Sequence, residues 1–119
     1  MKDRPLSITI IGWLFVLFGA VALLSGLLPM AGATRAQLAG DFKSHWMVHL
    51  SRLAQIVGGL FMLRGHNWAR WLLVVWIAFH IVIGALHSIL QLSIHIAIFS
   101  VILFFLFRRP ASSYFAGQA

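Results

Sequence analysis

The sequence predicts an all-α integral membrane bundle of four transmembrane helices, up-down-up-down, and three observations carry that prediction. The 119 residues are 61% hydrophobic and only 9% charged, against roughly 25% charged in an ordinary soluble domain. Nine basic and two acidic side chains cannot give a water-facing exterior to a fold of this size, and a mean hydropathy of +0.96 points to lipid as the surrounding solvent. Finally, apolar runs of spanning length follow one another, and nearly all the basic residues flank them.

A spanning helix needs about 20 apolar residues. The first runs over about 6–28, after Lys2, Arg4 and a Pro5 suited to a first helical turn, and Pro29 stops it. Ala31-Gly32-Ala33 resembles a signal cleavage site, but the apolar stretch is longer than a signal peptide's and reads as a retained helix. Within it Gly12, Gly19 and Gly26 recur every seven residues, a small-residue seam for helix packing. Residues 29–44 read as a polar loop, with Ser44 the N-cap of a second helix over about 45–63. The segment from Arg64 to Arg70 is a short basic turn.

From Trp68 to Phe107 the chain is almost continuously apolar; as one straight helix it would be about 60 Å long, twice the thickness of the hydrocarbon. It must fold back, and Ser88, Gln91 and Ser93 mark the turn. That gives a third helix over about 68–87 and a fourth over about 90–107, in a single domain spanning 1–119.

The net charge of +7 would suggest nucleic acid in a soluble chain. Here Lys2, Arg4, Arg35, Lys43, Arg64, Arg70, Arg108 and Arg109 flank apolar runs, the pattern of topology signals. Six of them lie on the side of both termini, which places both termini of this multi-pass chain in the cytoplasm. Trp68, Trp71 and Arg70 are then anchors at the inner interface and Trp46 at the outer.

The absence of cysteine excludes thiolate metal sites and cysteine nucleophiles. Asp3 and Asp41, the only acidic residues, lie outside the apolar runs, so carboxylate-pair hydrolysis, di-iron sites, the H-E-x-x-H motif and carboxylate-driven antiport lack their essential group. Ser7, Ser25, Ser88, Ser93 and Ser100 are not arranged with a base and an acid, and no G-x-S-x-G turn occurs.

What remains is a set of polar residues inside the runs. His45, His49, Arg52 and Gln55 share one stripe of the second helix, His80, Gly84 and His87 a face of the third, and Gln91 and His95 a face of the fourth. Depth at about 1.5 Å per residue puts His49, His87 and His95 near the outer surface and His80 deeper. Three imidazoles at one depth suit a metal, and facing pairs among His49, His80, His87 and His95 suit a b-type haem or a quinone; the plainer alternative is interhelical hydrogen bonding. Arg52 has no acidic partner within the bundle, so it either snorkels to the outer headgroups or, with Gln55, meets a lipid phosphate or a partner's carboxylate. Phe99, Phe104, Phe105 and Phe107 crowd the fourth helix, as on a lipid- or subunit-facing surface.

The turn Gly65-His66-Asn67-Trp68-Ala69-Arg70 and the tail Arg108-Arg109-Pro110 with Tyr114-Phe115 resemble the small four-helix bacterial membrane proteins of uncharacterised function that carry G-x-x-W-A-R-like and R-P-x-x-x-Y-F-like motifs. The likeness covers the second half of the chain and implies topology and a bacterial inner membrane, without an activity. Little chain lies outside the spans, so the expected function is non-enzymatic association: an accessory, assembly or regulatory subunit that engages lipid, other membrane subunits or a second copy of itself. The alternatives are a haem, metal or quinone-binding electron-transfer module and, third, a small transporter, which the lack of a buried carboxylate and of a mid-helix proline pair disfavours.

Overall fold

The computed structural model describes residues 3–117; Lys2 lies outside them. Among the described residues the chain is helical, with α1 over Leu6–Leu27, a 3-10 turn over Leu28–Met30, α2 over Arg35–Leu63, α3 over Asn67–His87, α4 over Ile89–Phe107 and α5 over Arg109–Gly117. The helices α1, α2, α3 and α4 are long and apolar enough to cross a membrane.

The boundaries depart from the expected ones in two places. Residues 35–44 are not a loop: α2 begins ten residues before His45, and its N-cap is Thr34 in place of Ser44. Thr34 Oγ1 accepts from the Gln37 amide at 3.3 Å, and the Gln37 side chain accepts from the Thr34 amide at 2.8 Å, a reciprocal capping box. Hydropathy marks where a helix leaves the apolar medium and not where its hydrogen bonds stop, so this polar first third escaped it. The helix does register the change, since His45 takes non-helical angles (φ −122°, ψ 17°) and kinks α2. The second departure is α5, an amphipathic helix that was not among the four expected; Ala111, Tyr114 and Phe115 form its buried face.

The other turns follow local chemistry. After α2, Gly65 adopts φ +83°, the left-handed conformation that a Cβ disfavours. The Gly65 amide donates to Met62 O and the His66 amide to Phe61 O, both at 3.0 Å, closing a Schellman motif; the Phe61 and His66 rings meet edge to face at 5.2 Å. Between α3 and α4 the reversal takes one residue. Ser88 is extended (φ −163°, ψ 153°), ends α3 and caps α4 by accepting from the Gln91 amide at 3.1 Å.

Residue pairings set the packing. A Cβ on Gly12 would lie 2.6 Å from the Leu63 side chain, one on Gly19 would lie 2.7 Å from Ile56, and one on Gly26 would collide with Arg52 Nη1. Numbers rise along α1 as they fall along α2, so the two run antiparallel. A Cβ on Gly59 would sit 2.9 Å from Gly12 O and from Val16, so the backbones cross where glycine is required. Gly58 faces Leu73 of α3 in the same way. The contacts of α1 with α4 are sparse beside those of α1 with α2 and of α3 with α4. Only 6% of the most apolar stretch of α4 is buried, against 28% for α1 and α3. The bundle is therefore partly open along the α1–α4 side.

Candidate functional site

At the end of the bundle that holds both termini, the structure is closed. Ile8, Met62, Leu73, Leu106 and Phe115 are fully buried there, and polar groups are spent on helix ends. Leu63 O, in the last turn of α2, accepts from Arg4 Nη1 at 2.8 Å and from Tyr114 Oη at 3.0 Å; Leu106 O, in the last turn of α4, accepts from Arg70 Nη1 at 3.3 Å. Cations and hydroxyls there satisfy orphan carbonyls and meet the negative end of the helix dipole. Arg70, expected as an interface anchor, is instead only 8% exposed. Its guanidinium lies over the rings of Phe107 and Phe115, at 4.4 and 4.9 Å. A basic flanking residue is indistinguishable in sequence from a headgroup contact; α5, folding back over it, is what buries it. Trp68 and Trp71 remain about half exposed, as does Trp46 on α2.

The expected histidine site does not assemble. Asp41 takes His49 and His45 instead: its Oδ1 lies 3.0 Å from His45 Nδ1 and its Oδ2 3.0 Å from His49 Nε2. The three residues sit at i, i+4 and i+8 on one helix face, and His49 also stacks on Phe42 at 6.4 Å. Each oxygen serves a different imidazole, so the three offer no common point for an ion. His87 is exposed beside the α3–α4 turn, while His95 packs over Gly84. Among the described residues no group of three histidines or carboxylates is placed to hold a metal, which corrects the expected His49, His87 and His95 set. His80, His87 and His95 share one local habit: Nδ1 lies 2.7–2.9 Å from the carbonyl four residues earlier (Trp76, Ile83 and Gln91). A carbonyl only accepts, so Nδ1 carries a proton in each, and in the neutral ring the lone pair is on Nε2.

What the structure does assemble is a cleft of about 530 Å³ in the other half of the bundle, where α2 and α3 diverge beside Ala22 of α1. Arg52, Gln55 and His80 line it, with Trp76 and Phe79 as aromatic walls. Trp76 is locked, its Nε1 donating to both Ser51 O and Ser51 Oγ at 2.9 Å, and the His80 ring rests on it at 3.9 Å. The Arg52 guanidinium extends across Gly26, near the C-terminal end of α1, whose dipole offers it partial negative charge. No ion pair or hydrogen bond joins the Arg52 guanidinium or the Gln55 side-chain amide to another described residue, although Gln55 is only 9% exposed. Among the described residues the fully enclosed side-chain nitrogens that lack a partner are His49 Nδ1, Arg70 Nε and Arg108 Nε, so the polar atoms of Gln55 and Arg52 stay open to the cleft they line.

Two narrower clefts continue from this one. One of about 300 Å³ has Gln55 and Trp76 as its floor and Ile11, Leu14, Ile98 and Ile102 as walls. The next, of about 260 Å³, lies wholly between α1 and α4 and ends at Ser7 and Phe105.

No family model, curated protein or solved structure matches this chain. Donors without acceptors at one end of an apolar groove can bind and orient an anionic or hydrogen-bond-accepting group. Arg52 and Gln55 were legible as a polar stripe in an apolar run. Trp76 and Ser51 were not, because neither type is unusual in a membrane helix, and only the α2–α3 crossing brings them together.

Proposed function

We propose that this chain is a multi-pass protein of a bacterial inner membrane, its four spans running up-down-up-down with both termini in the cytoplasm. It acts by association, as an accessory, assembly or regulatory subunit engaging a group outside its own fold through the Arg52 cleft. The observation that carries this reading is the unmet hydrogen-bonding demand of Arg52 and Gln55. In hydrocarbon an unpaired cation is costly, up to about 2.5–3.5 kcal/mol at mid-span and less toward the helix end, where Arg52 lies against Gly26, and an anionic group from a lipid or another subunit offsets that cost. The uncovered side of α4 leaves room for such a neighbour.

The test is photocrosslinking in native membranes from a benzoylphenylalanine placed at Phe79, on the wall of the cleft. A discrete, saturable adduct that disappears with Arg52→Ala is expected. Diffuse labelling unchanged by Arg52→Ala would remove the reading.

A second reading, electron transfer through a b-type haem or a quinone, is favoured by one observation: His80, His87 and His95 each keep Nε2 free while Nδ1 is held by a carbonyl, the orientation second-shell contacts give to ligating imidazoles. A Soret band in the purified protein that is lost with His80→Ala would establish it; a featureless visible spectrum after haem supplementation would remove the haem form.

A further inference from the structure

Resting on the reading of the Arg52 cleft as a binding site, we propose that its occupant is an anionic phospholipid. The headgroup phosphate meets Arg52 and Gln55, and one hydrocarbon chain lies in the seam between α1 and α4.

Three features of the molecule converge on this occupant. Among the residues that line the clefts, the side-chain donors without a partner are Arg52, with a full positive charge, and the Gln55 amide, while the two continuing clefts are otherwise lined by apolar side chains as far as Ser7, whose hydroxyl already accepts from Arg108 at 3.4 Å. Gln55, nine-tenths buried and without a side-chain partner, borders both the wide cleft and the first narrow one, so it stands where a headgroup would give way to a chain. The two narrow clefts share Ile11, Leu14 and Ile102 and so form one seam. Along α1 it extends from Phe18 to Ser7, roughly 16 Å at the helical rise, the length of an acyl chain and too slender for a helix. A partner helix would need the α1–α4 gap to be as wide as a helix diameter, about 10 Å. A soluble anion would leave the apolar seam without a function.

Charge supports the same choice. Both carboxylates of the chain are elsewhere, with Asp41 given to His45 and His49, so the cleft carries uncompensated positive charge and selects against zwitterionic headgroups, whose ammonium would lie near Arg52. The seam also explains why α1 and α4 touch so sparsely: a chain between them supplies the missing packing, the main source of helix association in lipid.

The full chain, purified in a neutral detergent, is titrated with dioleoyl phosphatidylglycerol or dioleoyl phosphatidylcholine and bound lipid is counted by native mass spectrometry. One phosphatidylglycerol is expected to be retained with about tenfold preference, the size of one charge-assisted hydrogen bond. Arg52→Gln should erase that preference, Arg52→Lys should keep part of it, and Arg64→Gln and Arg109→Gln should leave it intact, because those arginines lie at the far end of the bundle. Ile98→Trp, which fills the seam without touching the charge, should lower retention of both lipids, with circular dichroism confirming that the helices persist. Equal binding of the two lipids, or a preference that survives Arg52→Gln, overturns the proposal. So does displacement of the lipid by millimolar inorganic phosphate, which would mark a simple anion site. If the lipid preference fails while the Arg52-dependent crosslink from Phe79 to another protein persists, the association reading stands and the lipid occupant falls.

Discussion

The two ends of this bundle handle the same chemical problem, arginine among apolar helices, in opposite ways. At the closed end Arg4 and Arg70 donate to carbonyls in the last turns of α2 and α4, Arg108 donates to Ser7 at 3.4 Å, and α5 seals the arrangement with Phe115 fully buried. At the open end Arg52 lies across Gly26 with no carbonyl or carboxylate of its own. At the closed end each of these arginines finds an acceptor within the fold, although Arg70 Nε and Arg108 Nε stay buried without one; at the open end the Arg52 guanidinium finds none among the described residues. A charge whose removal should weaken the fold is architectural; one whose removal should relax the fold is held for something else.

The contrast can be broken most forcefully at α5. Phe115→Ala removes the largest fully buried side chain of the closed end, and the cavity should cost about 3 kcal/mol. Because α5 then detaches, trypsin should cleave readily after Arg108; a tail that resists trypsin as well as the parent would show that α5 is held by something other than this ring. The α1–α2 crossing comes next. Gly59→Leu must push against Gly12 O and Val16, an overpacking of about 2–3 kcal/mol visible as a lowered midpoint in denaturing-detergent titration, whereas Gly40→Ala, with open space around it, should leave the midpoint unchanged or slightly raised.

The sharpest form of the comparison is a pair of matched substitutions, both measured without anionic lipid. Arg52→Leu should stabilise the protein by about 1 kcal/mol, since an uncompensated charge leaves the bundle. Arg70→Leu should destabilise it by about 1–2 kcal/mol, since Leu106 O loses its donor. Equal signs would erase the distinction between the ends. The smallest effect belongs to the clamp before the kink: Asp41→Asn should leave the melting temperature unchanged while shifting the imidazole nitrogen resonances of His45 and His49 together, as expected if one carboxylate holds both rings.

Much of this architecture was readable one residue at a time. The α3–α4 reversal fell at Ser88 because an apolar stretch of twice the spanning length has to turn at its polar cluster, and the turn after α2 was marked by Gly65. The start of α2 was equally present in the chain, as Thr34 and Gln37 three residues apart, but polarity between residues 35 and 44 concealed a helix whose stability comes from capping instead of burial. The D-x-x-x-H-x-x-x-H spacing from Asp41 to His49 was also in plain view, and it removes His49 from the expected metal set.

By itself the sequence determined what depends on composition and local order: the all-helical class, four segments of spanning length, the glycine seam of α1, and the absence of any acid to neutralise Arg52. Only the tertiary structure decided which arginines meet an acceptor within the fold, that α5 covers Arg70, that Gln55 and Trp76 line one cleft, and that α1 and α4 stand apart. The physical reason is that hydropathy and capping act within a few residues along the chain. Burial of a particular side chain depends instead on which helices cross and how closely, and the glycines that set those crossings look alike in sequence whether they admit a leucine, a backbone oxygen or a guanidinium.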